Sequence, residues 1–198
     1  MENKKKLKTD TSIVKNYKEG LVAGVLIGFG VIINTLITPP FLGALLFSFG
    51  LLVIIQLRIP LFTGRIGFFN LKNEQPYLMI LIANCLGILL VVFTYYNCNT
   101  DFQAMLTNAA ALKFSKSFIS MFFCGCLCGF LIHIAVKCKV PIITIGAIMI
   151  FILIGSEHCI ADFPYLFTGI TWIKFIKWIL VILGNSIGAI FAERMLNE

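Results

Sequence analysis

Charge is what this 198-residue chain has least of: charged residues make up 13% against 59% hydrophobic, only 9 are acidic, and there are 2 histidines. A soluble domain of this length carries about twice that charge, so most of the surface must face lipid. The scarcity of acids and histidines leaves no convincing carboxylate pair or metal-ligand cluster, and no phosphate-binding loop is present. A membrane-embedded enzyme is therefore disfavoured. The 7 cysteines are an odd number, and Cys85, Cys124, Cys126 and Cys128 fall within apolar runs. Steps of two residues put Cys126 on a different helix face from Cys124 and Cys128, a poor arrangement for a metal. Neither a disulfide framework nor a cofactor is implied.

What the chain has in quantity is long apolar runs, near residues 19–38, 41–59, 77–96, 117–136, 140–156 and 171–191. A helix needs roughly 20 such residues to cross a bilayer, so six crossings are expected. The second and fifth runs are short, and each continues past a break into a further apolar piece, 60–70 and 159–168. Residues 1–18 are too long and too polar to be a cleaved signal peptide and read as a cytosolic basic segment. Residues 19–198 then form a single transmembrane domain. With the N-terminus inside, Lys4, Lys5, Lys6, Lys8, Lys15, Lys18, Arg65, Lys72, Lys137, Lys139 and Arg194 fall inside, and Lys113, Lys116, Lys174 and Lys177 outside. That asymmetry places both termini in the cytosol, and the net charge of +7 is a topology signal rather than a nucleic-acid footprint.

The tetrapeptide Leu-Phe-Thr-Gly occurs twice, at Leu61–Gly64 and Leu166–Gly169, 105 positions apart (166 − 61). At the same offset Gly20, Gly24 and Gly50 map onto Gly125, Gly129 and Gly155. In the third helix of each half the offset slips to 101, where Asn84 and Gly87 map onto Asn185 and Gly188. Each half, about 19–97 and 117–192, then holds three crossings. Three is odd, so the second copy is inverted, a construction typical of transporters. Proline near a helix end removes a donor, and the adjoining glycines, Gly64 and Gly155, permit a sharp reversal. Such backbone is tolerated at membrane depth only inside protein or along a cavity.

His158 is the only histidine beside a break, whereas His133 sits inside an unbroken apolar run. Ionisable groups at depth are functional by default, and imidazole exchanges protons near neutral pH. Thr63 offers a hydroxyl in the opposite break. Phe47, Leu51 and Phe151 precede the breaks and are candidates to narrow a path. Glu157 is expected to accept backbone N–H bonds from the opposing broken helix. Arg58 and Asp162 occupy nearly equivalent places in the two halves and are expected to pair, because an unpaired buried charge is costly.

Phe41–Gly64 and Phe151–Asp162, the latter with its Gly-x-Glu-His pattern, resemble the formate/nitrite transporter family. Gly-Asn-x-x-Gly in the last helix and Lys113 ahead of the fourth also match, and the resemblance spans roughly residues 18–192. It implies an aquaporin-like all-helical protomer with broken second and fifth helices, assembled as a homopentamer with a pore in each protomer. Members of the family pass formate, nitrite, hydrosulfide or lactate, often coupled to protons. By motif position, Thr63 and His158 are the central polar pair, Phe47 with Leu51 one constriction, Phe151 the other, and Lys113 a vestibule residue.

The chain departs from the family where Arg58-Ile59-Pro60 stands for Gly-Ala-acid before the first break. Arg65 and Asp162 replace asparagines, and Gly129 replaces another in the fourth helix. The expected function is a channel or transporter for small anions of weak acids in a bacterial plasma (inner) membrane, formate first, with nitrite or hydrosulfide as further candidates. In the expected mechanism Lys113 draws in the anion, His158 supplies or relays a proton, and the neutral acid passes the apolar slit. The alternative is a non-transporting membrane anchor or assembly subunit.

Overall fold

Long apolar runs punctuated by proline or by a small capping side chain dictate the elements. In this computed structural model, residues 2–70 and 75–197 are described, with side chains from Val14 onward. Lys72 and the side chains of Lys4, Lys5, Lys6 and Lys8 lie outside that set. Helix α1 (Glu2–Leu36) stops short of Pro39, and α2 (Pro40–Leu57) begins on Pro40, where a missing N–H costs nothing. A short helix α3 (Phe62–Arg65) and a 3₁₀ turn (Ile66–Phe68) follow, then α4 (Tyr77–Cys98) after Pro76.

In α5 (Thr100–Ser115) the Asn99 side chain accepts a bond from the Phe102 N–H at 2.9 Å. Ser117 caps α6 (Phe118–Cys138) in the same way, and α7 (Pro141–Leu153) again starts on proline. A short α8 (Cys159–Asp162) and a 3₁₀ segment (Phe163–Phe167) precede α9 (Trp172–Met195), capped by Thr171.

Among the described residues, five helical stretches are long and apolar enough to cross a membrane: Val14–Leu36, Pro40–Leu57, Tyr77–Cys98, Phe118–Cys138 and Trp172–Met195. Pro141–Leu153 is a shorter apolar helix. Their outward faces carry exposed Leu78, Leu86, Leu90, Phe93, Ile119, Phe123, Leu183 and Ile187, where a soluble protein would place charge. The chain is a multi-pass, all-helical membrane protein.

Glycine sets how closely the helices pack. A Cβ at Gly24 would lie 2.1 Å from the Asn84 carbonyl oxygen, and one at Gly129 would lie 2.1 Å from that of Asn185. The reciprocal contacts, Gly87 to Leu21 O and Gly188 to Cys126 O, are equally tight at 2.1 and 2.0 Å. Backbones at this separation are the membrane use of small residues. Helix α1 thus lies on α4 as α6 lies on α9, at the offsets of 105 (129 − 24) and 101 (185 − 84) expected from the sequence.

Between those helices the register differs from the expectation. The four-residue helices α3 and α8 correspond at an offset of 97 (159 − 62), so Leu61 is matched by His158 and Arg58 by Gly155. The second Leu-Phe-Thr-Gly therefore is not the counterpart of the first; it ends the 3₁₀ segment beyond the second interruption. Nor does Gly155 answer Gly50. Length supplies most of the shift of 8 (105 − 97): α7 has 13 residues where α2 has 18, a difference of 5, and α6 also ends 3 positions early at Cys138 against Leu36 of α1 (36 + 105 − 138).

Candidate functional site

Where a helix stops inside a bundle, its free carbonyls and the next helix's free N–H groups need partners. One asparagine supplies them in each half. Asn84 Oδ1 accepts from the Phe62 N–H at 2.8 Å, while its Nδ2 donates to the carbonyls of Gly20 at 2.8 Å and Pro60 at 3.1 Å. Asn185 repeats the pattern: Oδ1 accepts from Cys159 N–H at 2.9 Å, and Nδ2 donates to the carbonyls of Gly125 and Glu157 at 2.8 Å. Just upstream, the chain turns through left-handed backbone at Arg58 (φ 57°) and Gly155 (φ 71°).

The two short helices bring Thr63 and His158 together. Both are buried, and Thr63 Oγ1 lies 2.9 Å from His158 Nε2. The other ring nitrogen, Nδ1, accepts the backbone N–H of Ala161 at 3.1 Å. An imidazole nitrogen that accepts carries no proton, so Nε2 holds the hydrogen and donates it to the Thr63 hydroxyl. In this arrangement His158 is a neutral ring with a fixed tautomer, and the Thr63 hydroxyl hydrogen is left to point away from it.

A cavity lies on either side of this pair. One, of about 250 Å³, is lined by Phe47, Phe151, Lys113, Lys116, Glu157 and Asp162 among others. The Phe47 and Phe151 rings meet edge to face with centroids 6.2 Å apart, and Phe151 lies 6.1 Å from the His158 ring. The other cavity, of about 350 Å³, is lined by Leu51, Gly64, Arg58, Arg65, Lys137 and Lys139 among others. The expected grouping of Phe47 with Leu51 is thus corrected. Phe47 pairs with Phe151, because α2 runs past the polar pair and its residues 47 and 51 serve opposite cavities.

Charges are arranged differently from the expectation as well. Asp162 pairs with Lys113 at 2.9 Å and not with Arg58, which is exposed at the other cavity. In the observed register the mate of Asp162 is Arg65 (162 − 97), and Arg58 and Asp162 line different cavities. The Glu157 carboxylate takes no backbone N–H from the opposing short helix. It is clamped by Lys113 and by Lys116 at 2.6 Å, and Lys116 also donates to the Gly155 carbonyl at 2.7 Å. Lys113 therefore sits between two carboxylates. His133 is held by Glu193 at 2.6 Å, which also binds Lys137 at 3.0 Å.

Sequence reasoning passed over Lys116 and the structural task of the two asparagines. Lys116 stands just past the end of α5, outside the helix that carries Lys113, so no helical spacing ties the two in the sequence. Asn84 and Asn185 were visible as a repeated signature, but their partners are backbone groups that no side-chain pattern announces.

Two short helices meeting over a buried polar pair, with a cavity on each side and an apolar outer surface, define the membrane transport class of protein. The chain belongs to the formate/nitrite transporter family, whose description, Formate/nitrite transporter, matches residues 1–197. A solved structure titled "Pentameric formate channel with formate bound" is similar with a TM-score of 0.82 at 19% identity, covering 94% of this chain and 96% of that one. Another, "FNT family ion channel", gives 0.80 at 19% identity, covering 96% and 91%. At this identity the likeness is one of fold. No curated protein matched the sequence.

Proposed function

We propose that the chain forms a channel for small monovalent anions of weak acids, with formate the leading candidate and nitrite and hydrosulfide behind it. The observation that carries this reading is the buried Thr63–His158 hydrogen bond at 2.9 Å, flanked by Phe47 and Phe151 on one side and Leu51 on the other. The proposed protomer has six crossings in two inverted three-helix repeats, with broken second and fifth helices. It assembles as a homopentamer, an arrangement supported by a structural neighbour described as a pentameric formate channel. Both termini face the cytosol of a bacterial inner membrane, in keeping with the lysine and arginine asymmetry.

A bare anion in an apolar slit forfeits its hydration, at a cost of at least about 2.5 kcal/mol by analogy with charged side chains at mid-membrane. The neutral acid avoids that cost. In the proposed cycle the anion enters the cavity beside Lys113, acquires a proton, and crosses the phenylalanine pair as the acid. Inside, the Thr63 hydroxyl donates to it while the His158 Nε2–H keeps Thr63 oriented. Because both His158 nitrogens are engaged, the ring acts as a fixed donor within the relay, and the transferred proton reaches the substrate through water in the cavity.

The test is proton-coupled uptake of formate into proteoliposomes, with nitrite, hydrosulfide and acetate compared in the same preparation. Uptake that follows the neutral-acid concentration supports the mechanism. Intact oligomers with no flux of any of the four would favour the anchoring role.

A further inference from the structure

The cavity on the Leu51 side has no place in the uptake cycle beyond giving access, yet it gathers four basic residues. Arg58, Arg65, Lys137 and Lys139 line its volume of about 350 Å³, and no carboxylate is among the lining residues. Glu193 offsets Lys137 at 3.0 Å. Among the described residues, Arg58, Arg65 and Lys139 have no acidic partner within ion-pair distance. Three like charges sharing one cavity repel one another unless an anion sits among them.

Basic residues near helix C-termini are common because they complement the helix dipole, and α2 and α6 do end at Arg58 and Lys139. For Arg58 the backbone adds a second observation. Its backbone is left-handed, φ 57°, where the matching residue of the other half is Gly155 at φ 71°. Glycine takes that conformation freely and arginine does not. Among the described residues Arg58 and Lys139 (φ 56°) are the two non-glycine residues with left-handed backbone; each caps the end of its helix, and both line this cavity. The Arg65 guanidinium is also held in place, its Nη2 donating to the Arg58 carbonyl at 3.3 Å.

We infer that this cavity is a binding site for a multivalent oxyanion of the phosphate class, gripped by Arg58, Arg65 and Lys139. Arginine forks match paired anionic oxygens. A doubly or triply charged anion answers three cations where a monovalent one does not. A single proton cannot render it neutral, so it does not follow a weak acid past Leu51 and Thr63. Bound there, it plugs the mouth and competes with the permeant anion from that side. The effect on flux rests on the channel reading; the binding does not.

Inorganic pyrophosphate is the probe. Calorimetry on the purified oligomer, with ionic strength held constant by chloride, should show saturable binding. Arg58→Gly and Arg65→Gln should each weaken it at least tenfold, and Lys139→Gln less. Arg58→Gly installs the residue the backbone prefers, and thermal unfolding of the variant distinguishes lost binding from a lost fold. In proteoliposomes, pyrophosphate on the face carrying the C-terminus should inhibit formate flux, and the same variants should relieve the block. Binding that the arginine variants leave unchanged overturns the site, as does inhibition equal to that of chloride at matched ionic strength. Arginine-dependent binding without any formate flux would uphold the site and sink the channel reading instead.

Discussion

The interruption at residues 58–65 and the one at 155–162 have the same backbone and opposite chemistry. Each has a left-handed residue, a four-residue helix and an asparagine from the third helix of its half tying the free backbone groups. The first bears Arg58 and Arg65; the second bears Glu157 and Asp162 at its own mouth, balanced by Lys113 and Lys116. The frame is shared, and a few side chains make the two ends differ. One mouth is an ion-paired, near-neutral entrance and the other a cationic one. The central pair is itself unsymmetrical, because Thr63 is matched by Ile160 and His158 by Leu61.

The largest expected effect comes from removing that asymmetry at the centre. His158→Phe keeps a ring and deletes both nitrogens, freeing the Ala161 N–H and the Thr63 hydroxyl. Formate uptake should fall to background while the oligomer survives size-exclusion chromatography. Uptake with an unaltered pH profile would discard the assigned role of the polar pair.

Next are the elements the two interruptions share. Asn185→Ala strands the Gly125 and Glu157 carbonyls and the Cys159 N–H, and Asn84→Ala strands their counterparts. Each unpartnered buried group costs about 1–3 kcal/mol. Both variants should therefore melt well below the parent in detergent and by similar amounts. A large loss at one site and none at the other would break the equivalence of the halves.

A smaller effect separates the mouths. Asp162→Asn removes one of the two carboxylates on Lys113 and leaves Glu157 to offset both Lys113 and Lys116, so an entering anion meets a mouth of net positive charge. The half-saturating formate concentration should drop several-fold at low ionic strength and return toward the parent value in high salt. Lys113→Ala should shift it the other way, with less change in maximal rate. A change confined to maximal rate in both variants would remove Lys113 from anion capture.

How much of this was readable beforehand differs by element. The close-packed first and third helices were legible because backbone contact admits only glycine, which leaves a mark such as Gly24 and Gly129. The pairing of Thr63 with His158 was expected from motif position in the family resemblance, and the two meet at 2.9 Å. The register between α3 and α8 was not legible: a chance second Leu-Phe-Thr-Gly offered a false anchor, and helix length, not motif, set the true offset. Helix α5 escaped notice although Phe102, Leu106, Ala110 and Phe114 recur every four residues and are buried. Its exposed polar face broke the apolar runs that organised the rest. Pairing Arg58 with Asp162 failed for the same reason as the register: the residue that matches Asp162 is Arg65, and Arg58 and Asp162 line different cavities.

The smallest expected effect tests whether the two turns are the same turn. At Gly155 an added Cβ would meet nothing nearer than Lys116 Nζ at 3.7 Å, so a side chain fits and only the backbone objects. A non-glycine residue in left-handed backbone is disfavoured by about 1–2 kcal/mol, and the Lys116 bond to the Gly155 carbonyl holds that geometry in place. Gly155→Ala should lower stability by about 1 kcal/mol for this reason alone. Arg58→Gly should raise it by about the same amount, less whatever the lost charge contributes at the end of α2, about 0.3–1 kcal/mol. Thermal unfolding of the two single variants and the double variant in one detergent measures all three, and the double should lie near the parent because the sites are independent. If Arg58→Gly were destabilising by more than the loss of a helix-terminal charge explains, the arginine side chain would be holding the turn itself. The two interruptions would then share a shape but not a cause.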